Sequence, residues 1–359
     1  EMANHEFLEK ITLAPGTSGF EKQATRVMKA YLEDCVDEFQ YDNLGSLVAV
    51  KKGTGNLKVL MTGHVDEIGF VVKGIDKQGY IKVHPLGGWF GKNISSSLMM
   101  ITTREGKEIK AVFGSSMPRN LSPEQRKLAP VPSDALLDIG VESKEEAESL
   151  GIRIGDPVTP VSEFSVMANP KYLMSKAWDD RAGVAVICEV MKNLKDVQTE
   201  ASIYAAGTIQ EEVGCRGAKT VGQMIQPDVA FALDVCFSND VPEEGTMNDV
   251  KLGCGVVLGV LDGSVIAHTG LLKKMESICE ELGLPYQLDV LQGGGTDSGE
   301  LSKVGAGVVN MTLSIPSRYM HSHRTIICET DLDATVKVLT EFCKQINEAL
   351  LEEIKQDKQ

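Results

Sequence analysis

The spacing of apolar positions changes along the chain, and each change marks a different kind of element. Residues 5–32 read as two helices parted by Pro15-Gly16-Thr17-Ser18-Gly19, a cluster through which no helix continues. The second carries Ala24, Val27, Met28 and Tyr31 on one stripe. Val59, Leu60 and Met61 form a compact apolar run closed by Gly63, the mark of a strand buried on both faces. Short β-like segments follow at 69–73, 80–84, 98–103 and 110–113, with turn residues such as Asp76, Gly79, Gly87 and Gly88 between them and little helical period. After Pro160, helices at 181–194, 217–224, 270–282 and 331–354 alternate with strand-like runs at 201–208, 228–233, 251–260 and 307–313. The last helix is the clearest: Val336, Leu339, Phe342, Ile346, Leu350 and Ile354 recur every three or four residues. This alternation predicts an α/β fold whose mostly parallel sheet is covered by helices on both faces. Residues 70–164 are then a small β domain inserted into a discontinuous domain made of 1–69 and 165–359.

Open α/β sheets bind ligands beyond the carboxyl ends of their strands, so the residues after each apolar run carry the functional signal. The run ending at Thr62 is followed by His64-Val65-Asp66, that ending at Thr208 by Glu211-Glu212, and that ending at Leu233 by Asp234. The run ending at Leu313 leads to His321-Ser322-His323, and Asp179-Asp180 precede the helix at 181. Singly, each has an ordinary explanation; Asp180, for example, is expected to cap its helix. Together they place imidazoles and carboxylates from five segments on one rim. Nitrogen and oxygen donors without thiolate suit a catalytic divalent-metal site, and their number favours two ions over one. In an extended backbone Glu211 and Glu212 diverge, so one can bind metal while the other stays free as a base.

Composition narrows the classes. The 359 residues carry 36 Lys and Arg against 51 Asp and Glu, a formal charge of −15 that argues against a nucleic-acid partner. No apolar run approaches the roughly 20 residues needed to cross a bilayer, and no basic segment followed by an apolar one opens the chain, so a cytoplasmic location is expected. The 8 cysteines form no C-x-x-C pair and read as reduced, buried thiols; Cys215 and Cys236, close to the proposed site, are expected to be packing residues.

Six motifs match one family in order and over nearly the whole chain. His64-Val65-Asp66, Ala177-Trp178-Asp179-Asp180-Arg181, Gln210-Glu211-Glu212-Val213-Gly214, Leu233-Asp234, Gly293-Gly294-Gly295-Thr296-Asp297 and Arg318-Tyr319-Met320-His321-Ser322 resemble the tetrahedral aminopeptidases. These are dinuclear metallopeptidases that include glutamyl and deblocking aminopeptidases, some labelled endoglucanase or cellulase. The resemblance implies a zinc-peptidase-like catalytic domain with a barrel-like insert used for dimer contacts, and dimers assembled into a tetrahedral dodecamer. It implies two zinc or cobalt ions, one held by His64, Asp179 and Asp234 and the other by Asp179, Glu212 and His321, with Asp179 as the bridge. Glu211 would be the general base towards a metal-bridging water, and Asp66 would orient His64. The sequence departs from many relatives after His321-Ser322, where His323 stands as a second possible ligand. Gly295, Thr296 and Asp297 are expected to face the peptide substrate.

The implied activity is therefore the removal of N-terminal residues from peptides. Another dinuclear amide hydrolase, a carboxypeptidase or deacylase, is the alternative. A glycosidase is the more distant one, because adjacent glutamates do not flank a glycosidic bond.

Overall fold

The computed structural model describes residues 4–242 and 249–359. An 11-stranded sheet carries the fold. Its centre is parallel: Ser202–Thr208, Lys58–His64, Val229–Phe237 and Val309–Arg318 lie side by side in that order. Antiparallel strands extend both flanks. Leu47–Lys51 and Glu38–Tyr41 lie beyond Ser202–Thr208, and Thr325–Cys328, Tyr172–Ser175 and Ser165–Val166 lie beyond Val309–Arg318. Val256–Leu261 pairs antiparallel with Val309–Arg318 and parallel with Tyr286–Val290. The sheet is thus mixed, with the expected parallel pairing concentrated at its centre. The flanking strands escape a pattern search because two to five residues are too few to show a period.

Alternation along the central strands explains the two covered faces. Val59 and Met61 join one apolar cluster with Ile11, Val186 and Leu339, from the helices His5–Leu13, Trp178–Asn193 and Glu329–Gln345. Leu60, between them, joins a second cluster with Ala218 and Val221 of Arg216–Ile225 and Leu301 of Ser298–Leu301. Ala205 and Ala206 divide in the same way, as do Phe231 and Ala230.

The single helix expected at 331–354 is two, Glu329–Gln345 and Glu348–Gln356. Ile346 leaves helical geometry at ψ 128°, and Asn347 Oδ1 caps the second helix by accepting from Leu350 N at 2.8 Å. The apolar rhythm runs on across the break because Ile346, Leu351 and Ile354 all bury into the core that holds Leu339.

The inserted segment closes on itself. Gly69–Ile75, Ile81–Leu86, Leu136–Asp138, Glu108–Phe113, Leu98–Thr102 and Pro157–Pro160 form a closed barrel, each hydrogen-bonded to the next. Its interior, with Phe70, Val83, Met99, Ile101, Phe113 and Val158, is an apolar cluster separate from those of the sheet. The stretch also holds an unanticipated helix, Lys144–Ser149, whose N-terminus is capped by Ser143 Oγ accepting from Glu146 N at 3.1 Å.

Candidate metal centre

Parallel strands send their carboxyl ends to one edge, and there the polar side chains meet. His64 ends the strand Lys58–His64 and is buried. Its Nδ1 lies 2.9 Å from the Asp66 carbonyl oxygen, which can only accept. Nδ1 therefore carries a proton, and Nε2 faces the rim. From Nε2, Asp179 Oδ1 is at 3.0 Å, Glu211 Oε2 at 3.5 Å and Asp234 Oδ1 at 3.9 Å. The second histidine repeats the arrangement on a different support. His321 sits just after Val309–Arg318 in left-handed backbone, φ 59°, and its Nδ1 donates to the Gly88 carbonyl oxygen at 2.7 Å. Its Nε2 faces Asp179 Oδ2 at 3.0 Å and Glu212 Oε2 at 3.5 Å. Asp179 thus extends one oxygen towards each imidazole, while Glu211 and Glu212 point to different histidines.

Asp66 and Asp180 stiffen this rim. The carboxylate of Asp66 accepts from Ser18 Oγ at 2.7 Å and from the Glu211 and Glu212 amides at 2.9 and 3.1 Å. It lies 3.4 Å from His64 Nδ1, so the ring is held more closely by Asp66's own carbonyl, and the side chain mainly pins the Glu211-Glu212 backbone. Asp180 lies at a kink near the start of Trp178–Asn193, its backbone non-helical, and caps the helix that continues from there through Gly183 N at 2.9 Å; its other oxygen accepts the His64 amide at 3.1 Å. Asp180 also falls with His64 and Asp234 in one cluster of ligand atoms within 4.8 Å, as Asp179 does with Glu212 and His321. Since both Asp180 oxygens already hold amides, Asp179 has the freer carboxylate. His323 does not join the cluster: it is buried against Trp89, and its Nε2 donates to the Leu98 carbonyl oxygen at 3.0 Å.

Electrostatics favour a cation here. Burial raises the pKa of Glu212, Asp234 and Asp180 well above the ordinary range, with neighbouring carboxylates reinforcing it. Burial alone would lower both histidines; instead Glu211, Asp179 and Asp66 carry His64 well above its usual value, and Asp179 and Glu212 raise His321 to about 10. A group of carboxylates that draws protons onto two buried imidazoles would also draw divalent cations. Glu212 Oε1 is buried with no hydrogen-bond partner among the described residues, which fits a carboxylate oxygen that would serve as a metal ligand.

The M42 glutamyl aminopeptidase profile matches residues 45–338. The chain belongs to that family. It is accordingly a peptide hydrolase, the class expected ahead of the glycosidase alternative. The lysyl aminopeptidase of Pyrococcus furiosus is 32% identical over 358 residues, covering 99% of this chain and 98% of that protein. Among solved structures, the TET aminopeptidase from the marine sediment archaeon Thaumarchaeota archaeon SCGC AB-539-E09 superposes with a TM-score of 0.94 at 34% identity, covering 98% of each chain. The Pyrococcus horikoshii TET1 peptidase, which can assemble into a tetrahedron or a large octahedral shell, gives 0.85 at 33% identity, covering 95% of this chain and 99% of that one.

Beside the candidate centre opens a cavity of about 390 Å³ lined by Asp179, Glu211, Glu212, Asp234 and His321 and also by Phe237, Leu291, Gly295 and Thr296. Gly295 and Thr296 therefore reach the space a substrate would use. Asp297 does not line it: it is buried behind, its Oδ2 accepting from Thr208 Oγ1 at 2.6 Å. The residues that pattern reading missed are Gly88, whose carbonyl sets the His321 ring, and Ser18, which braces Asp66. A backbone carbonyl leaves no side-chain signal, and Ser18 sits in what reads as a helix-breaking loop. Among the described residues no helix is long and apolar enough to cross a membrane.

Proposed function

We propose that this M42 chain is a dinuclear metallo-aminopeptidase that removes N-terminal residues from peptides. The observation that carries the reading is Asp179, whose two oxygens lie 3.0 Å from His64 Nε2 and 3.0 Å from His321 Nε2. His64, Asp179 and Asp234 would hold one zinc or cobalt ion, and Asp179, Glu212 and His321 the other. Bound ions would supply the Lewis acidity that makes water a nucleophile near neutral pH and polarises the scissile carbonyl. The protein supplies the rest. Glu211 is the proton carrier: it takes a proton from the attacking water and returns it to the departing amine at a carboxylate oxygen. Burial first, with Asp297, Asp179 and Asp66 against His64, raises its pKa to about 8, and the charge of bound ions would act in the opposite direction. Asp66 acts as a positioning residue, holding the amides of both glutamates. Gly295 and Thr296 form the wall facing the peptide.

Residues 70–164 are read as the unit through which two copies pair, with dimers building a tetrahedral dodecamer. Support comes from the apolar side chains this unit leaves exposed, among them Phe90, Leu128, Val131 and Ile154. Light scattering should return a mass near twelve chains; a monomer would contradict the assembly.

The enzymatic reading is tested with aminoacyl chromogens, each paired with its N-acetylated form, at a metal content read by mass spectrometry. Turnover of the free amines alone, abolished by chelation and restored by zinc or cobalt, is expected. Preference for the acetylated forms would instead favour a deacylase. Glu211→Gln should keep both metal equivalents and lose about two to four orders of magnitude in kcat; undiminished turnover would remove Glu211 from its role.

A further inference from the structure

Glu21 opens the helix Lys22–Leu32 but does not cap it with its side chain. The carboxylate is turned the other way and buried, the residue 5% exposed. Its Oε1 accepts from the Gly19 amide at 2.7 Å and from the Gln210 amide at 3.1 Å, 189 residues further along the chain. Gln210 directly precedes Glu211, and the Glu211 and Glu212 amides are the two that Asp66 holds. Three successive amides thus face two carboxylates. The carbonyls of the same run are held from the other side, Ile209 O by Gly217 N at 3.0 Å and Gln210 O by Arg216 N at 3.2 Å. Gln210 itself is in left-handed backbone, φ 52°, which a residue with a Cβ keeps only where its surroundings hold it. Two buried acids side by side oppose each other. Burial pushes the Glu21 pKa up to about 7, with the Gly19 amide pulling it down and Asp66 adding to the rise. An apolar side chain would be easier to bury there, so what Glu21 contributes is an acceptor for the amides.

We propose that Glu21 is a positioning residue for the proton carrier: by accepting the Gln210 amide it fixes the backbone from which Glu211 reaches the attacking water. The inference rests on the reading of Glu211 as that carrier. Ser18 of the same loop donates to Asp66 Oδ2 at 2.7 Å, so both carboxylates that hold residues 210–212 are tied to the connection between the first two helices. A stretch whose Pro and Gly residues only break helices in the sequence pattern thereby reaches the chemistry. Glu21 stands behind the rim rather than on the cavity wall, and Asp66 still holds the Glu212 amide when Glu21 is changed. Substrate binding and both metal equivalents should therefore survive its loss. The step that suffers is proton transfer, because a reacting group displaced by about 1 Å can lose about a hundredfold in rate.

Three substitutions separate reach from charge, each assayed on metal-loaded enzyme with an aminoacyl chromogen, well below its melting temperature and with metal content measured. Glu21→Met keeps the length and removes the acceptor; kcat should fall about ten- to a hundredfold, with KM within about twofold and both metal equivalents retained. Glu21→Asp keeps the charge but draws the oxygen back by one methylene, and should lose at least about fivefold in kcat. Glu21→Gln leaves an oxygen in place and should recover kcat to within about threefold of the wild type. An undiminished kcat in Glu21→Met, or a fall in Glu21→Gln as deep as in Glu21→Met, overturns the assignment. So does a fall in Glu21→Met that is matched by loss of metal or by a rise in KM, the mark of a merely structural role. Should Glu21→Met not fold, the other two decide: Glu21→Asp must be slower than Glu21→Gln, and the reverse order overturns the proposal. In a Glu211→Gln background, adding Glu21→Met should lower kcat by no more than about twofold further, since both act on one group; the full additional fall would mean that Glu21 acts elsewhere. Failure of the Glu211 reading is seen separately, as full turnover of Glu211→Gln with Glu21 intact.

Discussion

His64 and His321 present the same atoms to Asp179 from opposite kinds of support. His64 is the last residue of a central parallel strand, its side chain 1% exposed, its amide held by Asp180 and its ring by the carbonyl two residues on. His321 stands on a connection between strands, its side chain 32% exposed, in left-handed backbone, with its ring held by Gly88 of the inserted segment 233 residues away in sequence. In the proposed centre the sheet itself supports one half, and contact between the sheet and residues 70–164 supports the other. Ligand chemistry alone would make the halves equivalent, whereas their unequal support predicts that they differ in stability and in sensitivity to distant change.

That contrast can be broken at its shared atom or sharpened at either end. Asp179→Ala removes the carboxylate common to both histidines. Loss of both metal equivalents, and of about three orders of magnitude or more in kcat/KM, is expected from metal analysis and kinetics; retained metal would show that the halves do not share it. The histidines should then separate. His321→Ala should lose one equivalent and leave the melting temperature of the apoprotein nearly unchanged. His64→Ala should also destabilise the fold by about 1–3 kcal/mol, because a buried ring and its hydrogen bond go. Equal melting curves for the two variants would erase the distinction. Gly88→Ala is gentler. A Cβ there would lie 3.3 Å from His321 Nδ1, close enough to displace the ring slightly. Metal affinity should drop about tenfold at one site and hold at the other, as for loss of a partner behind a ligand.

An effect outside the centre is a matter of pH. Burial first, aided by Arg324 and Lys176 against the Leu98 carbonyl, lowers the His323 pKa from 6.5 to about 4. The unfolded chain therefore binds more protons than the folded one between those values. The stability that neutral His323 contributes is present above pH 6.5 and lost as pH falls towards 4, about 3 kcal/mol at most. Chemical denaturation of the wild type and of His323→Gln should differ in slope across that window; parallel curves would mean that the ring titrates normally.

Legibility from the pattern differed between elements for physical reasons. Strands buried on both faces announced themselves as apolar runs, and those runs located the residues that follow them. The edge strand Glu38–Tyr41 is only partly buried and four residues long, so nothing in its composition separates it from loop. The helix break at Asn347 stayed hidden because both halves bury the same stripe. Cys215 packs against the cluster that holds Leu60 and Ala218, as its neighbours in sequence suggest, and it also lines the cavity, which only the fold could show.

By itself, the sequence determined the α/β alternation and the set of groups at the strand ends, because strands that run parallel must deliver their last residues to one edge. The tertiary structure decided what each group does there. It turned His321 inwards and His323 away, gave Asp66 the backbone of two glutamates to hold, moved Asp297 behind the wall, and supplied the Gly88 carbonyl. Each of these depends on where a side chain points or on which distant backbone atom it meets, and neither is recorded in the order of residues along one segment.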